Sequence, residues 1–410
     1  MTRSGGPARP AAPRDPYGIG PVSGYVGPVV AVVALLLVAA LTVSLLNGQI
    51  PFVKLGNTGH NGGNGDGPTP SPAPSNVVIV DPGIVFPGSI VYAKAGNIWI
   101  QTAKDVHQLT NDGNDSMPTF SADGQSIFFI RILPSRGVFP TGGTQSRTSY
   151  DLPTPSIMRV KPDGTGAVRV LTGRYAQGSS TWFYWLRQPV PSPNGKSIAV
   201  ISDGPNPLQS DIVLHTYSLS TKKLTSLNLP ESLHLGHQDP AWAPDGGSLL
   251  YVENGRELTR GAPVIVRYDP ATKKTRVLTG PGYIQPAISP DGSWIAATKT
   301  DAFGTDVTIL DASGKEALRV TDDGHSFAPT WSPAGNAVAF LHLEGTIVDL
   351  KMATLDDTSG RWTVTGTVDL TKVSALDGSS RPSWYASPSE VPAPSSVPGA
   401  GSPPAASTAP

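Results

Sequence analysis

The sequence predicts an all-β chain: a six-bladed β-propeller closed by strands from both chain ends and preceded by one transmembrane helix. Three observations carry this. A short pattern, Pro-x-apolar-[Ser/Ala]-x-[Asp/Asn]-Gly before a β-type apolar run, recurs from Pro118, Pro189, Pro240 and Pro286, with Ala334 in the acidic position of the copy from Pro329. A sixth copy begins at Pro382 and runs into the tail. A second marker precedes each: Leu109-Thr110, Leu171-Thr172, Leu224-Thr225, Leu278-Thr279, Val320-Thr321 and Leu370-Thr371. The third observation is an 18-residue run without a charge, VVAVVALLLVAALTVSLL, at 29–46.

In chain order, residues 1–28 form the first segment, with Arg3, Arg9 and Arg14 offset only by Asp15. Residues 29–46 are long enough to cross a bilayer as a helix, which satisfies its own backbone there. The arginine bias predicts a cytoplasmic N-terminus and an extracytoplasmic remainder. A cleaved signal peptide is the competing reading, but its apolar region would be shorter and end at a small-x-small site, which LLNGQIPF does not offer. Residues 47–76 form a flexible Gly/Pro/Ser linker, since GNTGHNGGNGDGPTPSPAPS has almost nothing apolar to bury. Structure is expected over 77–388, and 389–410 reads as a disordered Pro/Ala/Ser tail.

Within 77–388 the Pro-to-Pro spacings are 71, 51, 46, 43 and 53, the period of propeller blades. Each unit reads as four strands. Strand A carries the Pro at its start, where a missing N–H costs least. The Asp-Gly turn leads to strand B, because both residues tolerate positive φ. Strands C and D follow, and D ends at the Leu-Thr marker. The last copy supplies only a strand A, at 382–387, while SIVYAKAG, NIWIQT and VHQLT near the domain's start supply B, C and D. Joining them completes a sixth blade and pairs the edges an open array would expose.

The SPDG turns, with Pro-x-Trp inside the repeat and Leu-Thr upstream, resemble the TolB-like six-bladed propellers, a divergent relative of the WD repeat family. More distantly the chain resembles the LpqB-type membrane-attached propeller, a lipoprotein with an additional N-terminal domain; this sequence has no Cys to carry a lipid. The resemblance implies an extracytoplasmic scaffold that binds proteins or other ligands of the cell envelope. It assigns no partner-binding residue, because the shared motif is the blade motif.

Composition narrows the function. Charged residues are 15% and the formal net charge is −1, which argues against nucleic acid as a partner. With no Cys, disulfides and thiolate metal sites are excluded. No G-x-S-x-G elbow occurs. The alternative to a binding scaffold is a hydrolase or lyase acting on envelope glycans or peptides at the tunnel mouth. It would draw on His234, His237 and Asp239, a weak metal alternative whose bland reading is a polar inter-blade loop echoed by Gly324-His325. No cofactor is expected. The acidic stretches NDGNDS (111–116) and DDGHS (322–326) lack EF-hand spacing and sit where D-to-A turns belong.

The repeat is interrupted once. The 71-residue spacing places extra chain in the first full blade, at 131–156 between B and C and at 173–188 between D and the next A. Both connections emerge on one propeller face, so the insertions should be neighbours. Residues 131–187 hold Arg131, Arg136, Arg147, Arg159, Lys161, Arg169, Arg174 and Arg187 against Asp151 and Asp163. Trp182, Phe183, Tyr184 and Trp185 lie among them. Arginine with tryptophan and tyrosine is the composition of interaction hot spots. The expected partner-binding residues are therefore Arg136, Arg147, Arg174, Trp182, Tyr184, Trp185 and Arg187, with an acidic envelope or membrane protein, or the anionic membrane surface, as partner. The alternative is that the aromatics pack the long loop down and the arginines stay solvated. The propeller is expected to be monomeric.

Overall fold

The computed structural model describes residues 78, 83–138, 149–178, 180–207, 209–227, 229, 236–254, 263–357 and 361–391. The expected transmembrane segment 29–46, the linker up to residue 76 and most of the tail lie outside the described residues, as do Arg147 and His234. Among the described residues there is no helix.

Strands β1 (Ser89–Lys94), β2 (Asn97–Thr102) and β3 (Val106–Gln108) come first. Blade 1 follows with β4 (Asp115–Phe120), β5 (Ile127–Val138), β6 (Ser149–Val160) and β7 (Val168–Thr172), and β8 (Arg174–Gln177) and β9 (Ser180–Phe183) extend it. Blade 2 is β10 (Arg187–Pro191), β11 (Ser197–Ser202), β12 (Val213–Ser218) and β13 (Leu224–Ser226). Blade 3 is β14 (His237–Trp242), β15 (Leu249–Glu253), β16 (Val264–Asp269) and β17 (Lys274–Val277). Blade 4 is β18 (Tyr283–Ile288), β19 (Trp294–Asp301), β20 (Gly304–Asp311) and β21 (Glu316–Arg319). Blade 5 is β22 (Ser326–Trp331), β23 (Ala337–Glu344), β24 (Ile347–Asp356) and β25 (Thr363–Asp369). The last strand, β26 (Ser383–Tyr385), pairs with β1 through Ser89↔Tyr385, Ile90↔Trp384 and Val91↔Ser383. Blade 6 is thus ordered β26-β1-β2-β3, and the chain ends close the ring as expected.

Each strand B is buried on both faces, which is why it reads as a continuous apolar run. Alternate residues meet alternate neighbours. Ile198 and Val200 of β11 pack toward blade 1 with Tyr184 and Leu186, while Ala199 and Ile201 pack toward blade 3 with Leu249 and Tyr251. Ile90 and Tyr92 of β1 face blade 5, and Val91 and Ala93 face blade 1. The core is six such layers, one between each pair of blades.

The repeated turn is the same hairpin in all five complete blades. Gly124, Gly195, Gly246, Gly292 and Gly335 have φ between +65° and +77°, and each donates its N–H to the residue three before it. Asp245 accepts the Gly247 N–H at 2.8 Å, as Asp123, Asn194 and Asp291 accept theirs. Where Ala334 replaces the acid, Ser332 pairs with Asn336 instead. The threonine of the second marker also has a fixed task. Thr110, Thr279, Thr321 and Thr371 accept a strand-C N–H from Ile98, Ile265, Val307 and Leu350 at 2.9–3.0 Å.

Blade 2 departs from the expected marker. Leu224-Thr225 falls inside β13, paired with Tyr217 and Thr216. The residue that bonds back to strand C is Leu227, whose N–H reaches the Leu214 carbonyl. The Leu214 N–H goes to His237 Nδ1 at 3.1 Å, so a histidine from the next blade takes the acceptor role the threonine has in blades 3 to 6.

Candidate functional site

The two insertions fold into one sheet. The B–C insertion prolongs β5 and β6 into a hairpin of two twelve-residue strands, paired as far as Val138↔Ser149. The D–A insertion forms the β8–β9 hairpin, with Arg174 opposite Phe183 and Tyr175 opposite Trp182. A Val138↔Thr181 pair joins β9 to β5, and Arg174 donates to the Arg136 carbonyl at 3.3 Å. The insertions are therefore neighbours, in the order β7-β6-β5-β9-β8.

The ladder sorts the side chains by face. Tyr175, Trp182 and Tyr184 pack into the layer between blades 1 and 2 with Leu186, Ile198 and Tyr217. Tyr184 is buried, its hydroxyl donates to the Thr172 carbonyl at 3.0 Å, and burial pushes its phenol up to about 12. Of the expected residues, Tyr184 and Trp182 thus anchor the hairpin. Trp185 is 40% exposed, with its backbone N–H held by Asp203 at 2.6 Å and its ring edge-on to Phe183 at 5.3 Å. Arg136 and Arg174 are exposed on the face that carries Phe183, with Asp151 3.3 Å from Arg136. That ion pair is 75% exposed on both sides and leaves the local charge positive with little net stabilisation.

The cationic excess is smaller than the sequence count. Arg131 is held by Asp115 at 2.6 and 2.7 Å and by Asp112 at 2.5 Å, and the Asp115 bond holds its guanidinium charged. This also accounts for the NDGNDS stretch. Asp112 and Asp115 are arginine partners, while Asn97 takes the Gly113 N–H. In DDGHS the Asp323 and Gly324 N–H groups are capped by Asp306.

Of the two clustered histidines, His237 lies among the described residues and is packed inside. His237 is buried, bonded through Nδ1 to Leu214, with its ring 4.7 Å from that of Tyr251. Among the described residues no group of three or more His, Asp or Glu side chains is arranged to hold a metal ion. Ser326, Asp323 and His342 do meet, but Ser326 Oγ and Asp323 both face the same nitrogen, Nδ1, and Ser326 is fully buried. A relay needs the serine and the carboxylate on opposite ring nitrogens.

Asp239 belongs to a feature the sequence did not disclose. The residues just before the repeat prolines, Met117, Gln188, Asp239, Gln285 and Ala328, all have φ between +52° and +56°, each beside a β-bulge in strand A. Side chains at this position accept the N–H of the next blade's equivalent residue. Gln188 donates to Met117 Sδ at 3.3 Å, Asp239 to Gln188 at 2.8 Å, Gln285 to Asp239 at 3.2 Å and Ala328 to Gln285 at 2.9 Å. Ser380 accepts from Met117 at 2.9 Å. Arg381, the sixth member, reaches across the ring axis to the carbonyls of Pro240 and Pro286 at 3.0 and 2.9 Å. Its Nε lies 4.0 Å from Asp239, whose carboxyl burial pushes above its usual range. Arg187 begins β10 beside this ring, exposed, and lines a cavity of about 110 Å³ with Gln188, Gln238, His237 and Asn254.

No family model matches the chain, and no curated protein matches it by sequence. Solved structures do. TolB from Acinetobacter baumannii is 17% identical with a TM-score of 0.51 over 72% of this chain, which spans 66% of that TolB's length. A putative TolB from Agrobacterium tumefaciens is 16% identical with a TM-score of 0.45, over 73% of this chain and 95% of that one. An oligogalacturonate lyase from Vibrio parahaemolyticus is 15% identical with a TM-score of 0.42, over 68% and 92%. With six four-stranded blades, a ring closed by β26 on β1 and this likeness, the described domain has the TolB-like six-bladed β-propeller fold.

Proposed function

We propose that the chain is a membrane-anchored binding scaffold that presents its propeller outside the cytoplasm to an acidic protein of the envelope or membrane. The anchor and orientation are inferred from the apolar run 29–46 and the arginines before it, and one observation supports the binding part of the reading. The long insertions in blade 1 fold into a single sheet that brings Arg136, Arg174, Phe183 and Trp185 together on a rigid support. Loops on rigid scaffolds are where binding residues concentrate, and exposed Arg with Trp is the chemistry of interface anchors. Trp182 and Tyr184 contribute by holding the hairpin down. Arg187, exposed at the start of β10, is a further cation for such a partner, beside the axial ring.

The test is a double variant, Arg136→Ser with Arg174→Ser. Both side chains are exposed, so the melting temperature should stay within about 1–2 °C of wild type. Capture of the partner from solubilised membranes should fall by about tenfold or more. Unchanged capture at unchanged stability would remove the site. Protease accessibility of the propeller in cells whose cytoplasmic membrane is kept sealed while any outer layer is opened tests the proposed orientation, since a cytoplasmic propeller would stay protected.

A further inference from the structure

We propose that the partner is engaged as an added β-strand: an extended segment, acidic at alternate positions, that pairs with the free edge of β8. This rests on the reading of blade 1 as the binding site and specifies how that site works. β8 is the terminal strand of its sheet, and no described strand pairs with its outer edge. The phase of its ladder follows from one bond. Tyr184 N–H donates to the Gly173 carbonyl at 3.0 Å, so Gly173 and Tyr184 form a hydrogen-bonded pair. Alternation along β8 then makes Tyr175↔Trp182 and Gln177↔Ser180 hydrogen-bonded pairs as well. Arg174 and Ala176 are left with their N–H and C=O groups directed away from β9. Both residues are exposed.

The edge is also held in place at its root. Tyr175 is buried in the inter-blade layer, and Gly173 N–H is fixed to the Pro155 carbonyl at 2.8 Å. Proteins blunt exposed edges with short strands, charged side chains, proline or a bulge; β8 is short and carries Arg174, which would repel basic strands and favour an acidic one, and it has neither proline nor a bulge to block pairing. An incoming strand would continue the pleat. Its residues on the Arg174 side would sit beside Arg174 and Phe183, with Arg136 one strand further on, so acidic side chains fit there. Main-chain bonds would supply affinity and the alternating side chains specificity.

The probe is a capped peptide of about ten residues alternating Glu and Val, long enough to cover a strand of ordinary length. It should bind the propeller, and the same peptide N-methylated on every second residue, in the phase that removes the N–H groups facing β8, should bind about tenfold or more weakly. Replacing Glu by Lys should abolish binding. Ala176→Pro removes an outward N–H from the protein's side and should weaken the parent peptide to a similar degree. Equal binding of the parent peptide and both methylated phases would overturn strand addition, as would failure of the Glu/Val peptide to bind. If either occurs while Arg136→Ser with Arg174→Ser still loses the native partner, the scaffold reading stands and only the mode is wrong. Should Ala176→Pro not fold, the methylated peptides on wild-type protein decide alone.

Discussion

Asp123, Asn194, Asp245, Asp291 and Ala334 occupy one position of one turn, and their chemistry is that of a turn. Asp123 accepts from the Ser121 hydroxyl at 2.6 Å and from the Gln125 N–H at 3.0 Å, and these bonds, the serine's first, hold its carboxyl below its usual range. A depressed folded value contributes stability that is present above the usual carboxylate value and is lost as pH falls through the folded one. Asp123→Asn keeps an acceptor, as Asn194 shows in blade 2. Wild type should therefore be slightly the more stable at neutral pH, and the difference in melting temperature should close below about pH 4. A difference that does not change between pH 7 and 3 would contradict this. His237 has a structural task of the same kind: its Nδ1 accepts the Leu214 N–H, the role a threonine has at the end of blades 3 to 6.

Among the elements, strand B is the stabilising unit. Each fully buried Ile, Val or Leu on it contributes about 1.5–3 kcal/mol, and both faces are used. The extended hairpin of blade 1 is held differently. Leu152 and Tyr175 are buried, but the join between β5 and β9 is a single pair beside Gly137. A Cβ at Gly137 would run into Leu152 and the Thr181 carbonyl. Gly137→Val should accordingly prise β9 from β5 and lower stability by about 1–3 kcal/mol in denaturant titration, with partner capture reduced. Full stability and full capture together would show that the two insertions need not be joined.

For the whole molecule, closure depends on few groups. β26 contributes only three residues, supported by the Trp384 Nε1 bond to the Pro87 carbonyl at 2.8 Å and by Arg381 across the axis. Replacing Arg381 by Met leaves Asp239 buried without its nearest cation and two carbonyls without a donor. We expect a loss of about 3 kcal/mol or more, and a smaller loss for Arg381→Met with Asp239→Asn than the two single losses added. Strict additivity would show that the pair is not coupled. The blade count, the turns and the ring closure were legible in the sequence because Pro, Asp-Gly and apolar runs act locally. The displaced marker in blade 2 was not, since Leu224-Thr225 matches the pattern while ladder register selects Leu227. Nor was the pre-proline ring, whose members Met117, Gln188, Asp239, Gln285, Ala328 and Arg381 follow no common residue type and bond only between neighbouring blades. At the candidate site, the inserted length and the arginines were visible, but their sorting was not. The sequence by itself determined strands, turns and the interrupted blade, because these follow from local backbone preference and apolar periodicity. Only the tertiary structure decided that Arg131 is ion-paired with Asp112 and Asp115, that Tyr184 and Trp182 are anchors, and that Arg174 and Trp185 remain exposed. Those outcomes depend on which strand stands beside which, and on the carboxylates and apolar layers that neighbouring blades bring with them.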